Sequence, residues 1–487
     1  MLKKILMLVG VVVVALVAVV MFKAATFSSK QLKVKPVKVD IDEKGVAQRL
    51  AASVRFRTIS FENPKMFKGK PFADLLKFIE KSYPLVHKNL KKEVINNYSL
   101  LYTWKGSDSS LKPFMIMGHT DVVPVAKGTL KDWKHPPYSG KIVNGAIWGR
   151  GTLDDKVAVF GALEAVEALL AKNFKPKRTL YLSFGHDEEI GGHQGAQAIA
   201  KLLKKRGVTL EYVIDEGMVI TKGILPGVKK PVALIGLAEK GNVSLKLSLK
   251  GKGGHSSMPP KHTSIGLLSS AIHRLERNQM PPRLEGPTGT MFEYAGPEMS
   301  FGMRLVFANM WLFKPLVIGL LEKKKSTNAT IRTTTAATIF SSGTKENVLP
   351  THATAIVNFR ILPGDSVKSV IAHVKKVIKD KRIKVELGSG FNNEPSSVSP
   401  TKVMGFKVIQ RTIGEIFPDA VVAPNLVIGG TDSLHYKIVC KNIYRFLPLS
   451  VTSADLKRIH GTNERIVAKN YANIVRFYIQ LVRNSQK

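Results

Sequence analysis

The apolar positions of the chain open as one unbroken block. Ile5 to Phe22 is an uncharged run of eighteen residues rich in Val and Leu, close to the shortest helix that crosses a bilayer. It is longer than the apolar core of most cleaved signal peptides, and Lys23-Ala24-Ala25-Thr26 is a poor cleavage site. The pattern therefore predicts an uncleaved signal anchor over residues 1–25 rather than a removed leader. Lys3 and Lys4 favour a cytoplasmic amino end, whereas Lys23, Lys30, Lys33, Lys35 and Lys38 beyond the run weaken that asymmetry. Secretory-type amino termini export the chain attached to them, so the body is expected outside the cytoplasm. Residues 26–45, Lys-rich and containing Pro36, read as a basic tether.

Beyond the tether, short apolar runs alternate with helical periods. Lys112 to Gly118, Thr179 to Gly185 and Glu211 to Ile214 read as strands, and Val157 to Leu170 repeats apolar residues at helical spacing. This order predicts an α/β unit with a mostly parallel sheet over 46–238. Around Glu239 the pattern changes. Asn242 to Lys250 alternates polar and apolar residues like a half-solvated strand, and Ser264 to Arg277 is helical. Thr330 to Ile339 and Ala353 to Ile361 read as strands, Ser366 to Lys379 as a helix and Ile383 to Leu387 as a strand. That β-α-β-β-α-β order predicts a small inserted domain over 239–390 with helices on one sheet face. Residues 391–487 resume the first pattern and complete the α/β unit. Arg283 to Thr327, with its Phe, Met and Trp residues, fits neither period well. An apolar substrate lid, a membrane-touching patch and a hydrophobic interface all stay open for it.

Composition changes this picture in two ways. At 487 residues, 44% hydrophobic and 23% charged, the chain is an ordinary globular one with room for two folded units. Its 74 Lys and Arg against 36 Asp and Glu give a formal charge of +38, which attracts anions such as phospholipid headgroups or acidic substrates. The basic residues are scattered and no nucleic-acid motif accompanies them, so no nucleic acid is expected as partner and a solvated surface is the plainer reading. The single cysteine, Cys440, excludes an intrachain disulfide and sits in the apolar run Ile438-Val439-Cys440, where a buried thiol is the expectation.

The candidate chemistry lies at the carboxyl ends of the predicted strands, the edge where open α/β sheets bind ligands. His119 and Asp121 are two apart in Gly118-His119-Thr120-Asp121, so the carboxylate can orient the imidazole. Asp154, in Gly149-Arg150-Gly151-Thr152-Leu153-Asp154-Asp155-Lys156, stands at a helix start, where a capping Asp is the commoner event. Asp187, Glu188 and Glu189 are consecutive carboxylates at a strand end, which makes them a surface loop or a metal site. Asp215 ends another strand, and His460 lies farther on in Arg458-Ile459-His460-Gly461. Each has a bland explanation alone.

Taken together, GHTDVVPV, GRGTLDDK, GHDEEIGG, EPSSVSP and GGTDS resemble the dinuclear zinc carboxypeptidase and aminoacylase family, from about Val46 to the end. Within it the likeness is greatest to carboxypeptidase S and the N-fatty-acyl-amino-acid hydrolases. The resemblance implies an α/β catalytic domain carrying an inserted α+β, ferredoxin-like lid or dimerisation domain. It implies two zinc ions per subunit, one on His119 and Asp215, the other on Glu189 and His460, with Asp154 bridging them. Glu188 becomes the general base and Asp121 the partner of His119. His255, Asn347, Arg360 and Gly430 match positions that handle the substrate, and Arg360 suits a carboxylate because its planar fork pairs both oxygens. In related enzymes the histidine matched by His255 often reaches across from a partner subunit, which leaves a homodimer through the insert open. The implied reaction is hydrolysis of an amide bond beside a free carboxylate, in a peptide or an N-acyl-amino acid. The rival is a non-catalytic, membrane-tethered protein that binds anionic lipid or polymer through its charge.

Overall fold

The computed structural model describes residues 1–486. Leu2–Thr26 is a single helix, about 37 Å long at 1.5 Å per residue. Its side chains are exposed as far as Val19, and only Val20 and Ala24 near the carboxyl end are buried. Next, Gln31 ties the tether to the body by bonding the backbone N–H and C=O of Val422, at 2.8 and 3.0 Å.

The body is built on a ten-stranded mixed sheet. Phe114–His119 lies at its centre, parallel to Leu180–Gly185 on one side and to Val213–Asp215 on the other. All six residues of that strand are buried, which explains why Phe114 to Met117 are continuously apolar instead of alternating. Helix Lys156–Ala171 covers this strand on one face and is itself covered by Ala468–Asn484. Being enclosed, it is apolar nearly all round.

A second, four-stranded antiparallel sheet runs in the order Thr334–Ser342, His352–Ile361, Gly241–Lys250, Lys384–Leu387. Val243, Leu245, Leu247 and Leu249 point inward at period two and meet Leu268, Ala271 and Leu275 of helix Ser264–Arg277, with Val370, Val374 and Ile378 of helix Val367–Ile378. Thr263 and Ser366 cap these helices by accepting from Gly266 N and Ser369 N. Truncating Leu247 to Ala here would cost about 2–5 kcal/mol. Where the chain passes between the bodies, buried Glu239 pairs with buried Arg445 at 3.0 Å, and the Lys240 ammonium donates to the carbonyls of Ala329 and Arg332.

The segment expected to lie inside the insert packs elsewhere. Helix Pro287–Ala295 lies against strand Val421–Val427, and Leu284, Met291, Phe292, Met299, Phe307 and Val317 join the core of the large sheet, not that of the small one. Its irregular pattern results from serving a neighbouring core while presenting a second apolar face outward. Phe301, Trp311, Leu316 and Leu320 are all more than half exposed.

Candidate metal centre

His119 ends the central strand, and two carboxylates converge on its Nε2: Asp154 Oδ1 at 3.0 Å and Glu216 Oε1 at 3.3 Å. Its Nδ1 faces Asp121 Oδ1 at 3.3 Å. Asp121 is buried and also accepts from Ser60 Oγ and from the backbone N–H groups of Glu188 and Glu189. One carboxylate thus fixes both the imidazole and the turn that presents the two glutamates. The second oxygen of Asp154 lies 2.9 Å from His460 Nε2, which is 3.4 Å from Glu189 Oε2. Asp154 therefore stands between two imidazoles, one oxygen toward each. Three triads could each hold a metal ion: His119, Asp154 and Glu216; His119, Glu188 and Glu189; Asp154, Glu189 and His460. The Asp154–Asp155 peptide is cis.

The electrostatics of this cluster call for cations. Burial pushes Glu188 well above the usual carboxylate range, aided by Glu216, Asp432 and Glu189. Burial likewise raises Glu216 to about 8 and lifts Asp155 and Asp432 strongly. Against them stand two imidazoles. Hydrogen bonds to Asp154 and Glu189 raise His460 to about 10, and although burial opposes it, Asp121, Asp154 and Glu216 hold His119 well above its ordinary value. Glu189 Oε1, both Asp155 oxygens and Asp432 Oδ2 are buried without a hydrogen-bond partner. A donor set of imidazole and carboxylate, packed this densely and short of positive charge, fits divalent metal ions.

The sequence placed Asp215 where the structure puts Glu216. Asp215 ends the strand and turns its Oδ2 to Ser433 N at 2.9 Å, while the next residue points at His119. Of the four expected substrate-handling residues, Arg360 and Gly430 line the cavity of about 560 Å3 together with Asp154, Glu188, Glu189, Glu216 and His460. His255 and Asn347 do not; both are exposed at a separate two-stranded antiparallel ribbon that pairs Gly254–His255 with Val348–Leu349, where Ser256 N donates to Asn347 O. Met218, Val219, Ile428, Leu447 and Leu449 give the cavity an apolar wall. Gly192 adopts φ +65°, and a Cβ there would fall 1.8 Å from Asp432 Oδ1, so only glycine lets the Glu188–Glu189 turn and the Asp432 loop approach.

Two residues that sequence reasoning missed hold the centre from behind. The buried Arg150 guanidinium pairs with the buried carboxylate of Glu464 and donates to the carbonyls of His460 and Gly461 at 3.2 and 3.1 Å. Glu464 also accepts from Gly151 N and Leu153 N. The loop bearing Asp154 and the loop bearing His460 are locked together by this pair.

A model of peptidase family M20/M25/M40 matches residues 115–484. The chain is 44% identical over 472 residues to the probable carboxypeptidase S-like 2 of Dictyostelium discoideum, covering 95% of this chain and 90% of that one. It is 41% identical over 442 residues to the N-fatty-acyl-amino acid synthase/hydrolase of Homo sapiens, covering 90% and 87%. The crystal structure of an M20 family metallo-carboxypeptidase from Sulfolobus solfataricus shares the fold, with a TM-score of 0.65 at 20% identity over 92% of this chain and all of that one.

Proposed function

The chain belongs to peptidase family M20/M25/M40 and is a metallopeptidase-type enzyme, and from that premise we propose that it is a dinuclear zinc amidohydrolase acting on amide bonds beside a free carboxylate. The observation that carries this reading is the placing of Asp154, with one oxygen toward His119 and the other toward His460. His119, Asp154 and Glu216 would hold one ion, and Asp154, Glu189 and His460 the other. Zinc bound there would supply an acidified water and positive charge beside the attacked carbonyl.

The chain's own residues supply the rest. Asp121 keeps His119 in one tautomer by facing its Nδ1. Glu188 lines the cavity, and its raised proton affinity suits a carboxyl that takes a proton from water and passes it to the leaving nitrogen. Arg360, on the cavity rim, is the anchor for the substrate carboxylate. The apolar wall favours an aliphatic acyl group over a polar peptide on the other side of the amide, which makes N-acyl-amino acids the preferred substrates and their condensation the reverse reaction. A non-catalytic binder of anionic polymer would need none of this constellation. Helix Leu2–Thr26 is proposed as a signal anchor holding the enzyme outside the cytoplasm, and His255 with Asn347 as the contribution of a homodimer to its neighbour's cavity.

The test is Glu188→Gln. Amide hydrolysis should fall by about 10²–10⁴-fold with two metal ions per chain retained in elemental analysis. Full activity in this variant would remove the assigned base, and a metal-free wild type would remove the dinuclear reading.

A further inference from the structure

The segment 296–325 carries a surface that the catalytic reading leaves unused. Helices Phe301–Ala308 and Met310–Glu322 meet at a 112° bend. One side of the second helix faces the core through Val317, while Trp311, Leu312, Leu316 and Leu320 form an exposed apolar stripe, the three leucines at four-residue spacing. A helix apolar on both faces is stable only where something covers the outer one.

What covers it is indicated by the amino-terminal helix. The last turns of Leu2–Thr26 pack on helix Phe301–Ala308, and buried Asn309 donates to the carbonyl of Val20 at 3.0 Å. Arg304 donates to the carbonyls of Ala25 and Phe27, and the Lys23 ammonium lies 5.4 Å from the centre of the Trp311 ring. If the apolar run Ile5 to Phe22 crosses a bilayer, Val20 lies about 3 Å inside its end at 1.5 Å per residue. The stripe is thereby fixed at the boundary between acyl chains and headgroups. Exposed Lys323, Lys324 and Lys325 close the second helix with positive charge. An apolar element with an aromatic residue at one end and basic residues at the other suits the membrane interface at that depth.

We infer that helices Phe301–Ala308 and Met310–Glu322 form a shelf that lies in the outer leaflet beside the end of the spanning helix, its leucine stripe among the acyl chains and its lysines at anionic headgroups. This rests on reading the first helix as an anchor. The enzyme is then held at a fixed height and tilt instead of swinging on its tether.

The full chain, reconstituted singly in nanodiscs of phosphatidylcholine and phosphatidylglycerol, tests this through Trp311. It is one of four tryptophans, and Trp104 and Trp133 are buried in the body. Replacing the lipid by one brominated in mid-chain should quench up to about a quarter of the emission, and Trp311→Phe should abolish that component. Leu316→Asp with Leu320→Asp should cut the quenching at least by half while hydrolysis of a water-soluble substrate continues. Equal emission from brominated and plain discs, with the chain still resisting carbonate extraction, would overturn the shelf while sparing the anchor. Loss of the chain from the membrane in carbonate would overturn both. Cross-linking between two copies at position 311 without quenching would show that a second chain covers the stripe, and would also overturn the proposal.

Discussion

Arg150→Met would show whether the metal centre depends on the buried pair behind it. The substitution removes the ion pair with Glu464 and both hydrogen bonds to the loop carrying His460. Breaking a buried pair from one side costs about 3–5 kcal/mol. Glu464 keeps the N–H groups of Gly151 and Leu153, which brings the expected loss to the lower end, about 3 kcal/mol. With the His460 loop released, that imidazole no longer stands fixed against Asp154, and metal affinity should fall about 10–100-fold. Denaturant unfolding of the chelated protein reads the first quantity, and metal retained during dialysis against graded chelator reads the second. Combining Arg150→Met with Glu464→Gln should recover part of the loss, leaving a coupling energy of at least about 1 kcal/mol. If the single variant unfolds within about 0.5 kcal/mol of wild type and keeps its metal, the pair is not what joins the two loops.

Other perturbations separate neighbouring claims. Glu216→Ala should release one metal ion per chain in elemental analysis, whereas Asp215→Asn should retain both; the reverse result would restore Asp215 as the ligand. Arg360→Ala should lower kcat/KM about 10–100-fold, as expected for losing a charged hydrogen bond of about 1.5–3 kcal/mol, and hydrolysis of the substrate's methyl ester should be unaffected. Burial, aided by nearby Arg360, lowers Lys240 to about 7 from 10.5. The unfolded chain therefore binds the proton that the folded chain releases between those values, so the stability due to Lys240 is complete above pH 10.5 and is lost as pH falls through 7. Wild type should gain on Lys240→Met by up to about 1.4 kcal/mol per pH unit over that window, and an equal gap at pH 6.5 and 9 would contradict it.

The candidate site was legible in the sequence where local pattern and position agree. His119, Glu188 and Glu189 come directly after apolar strands whose carboxyl ends are set by simple periodicity, and Asp154 opens a helix that the 3.6-residue repeat locates. Asp215 and Glu216 were indistinguishable because the strand ends at Asp215, and past a strand end alternation no longer says which carboxylate turns inward. Arg150 and Glu464 lie 314 positions apart, and no local signal connects them. The segment 283–327 defeated periodicity for another reason: a helix apolar on two faces carries no polar side to mark its orientation, so its docking on the larger core could not be read.

Arg360 is carried by the four-stranded sheet, whereas His119, Glu188, Glu189 and Glu216 end or follow strands of the ten-stranded one. On the proposed reading, a ligand is gripped at its acid end by one jaw and at its carbonyl by the other, so the gap works as a caliper. An α-amino-acid product spans a set distance from acid to nitrogen. A β- or γ-homologue, longer by one or two carbons, would have to prise the jaws apart, and chain length would be rejected mechanically, with no side chain devoted to the task.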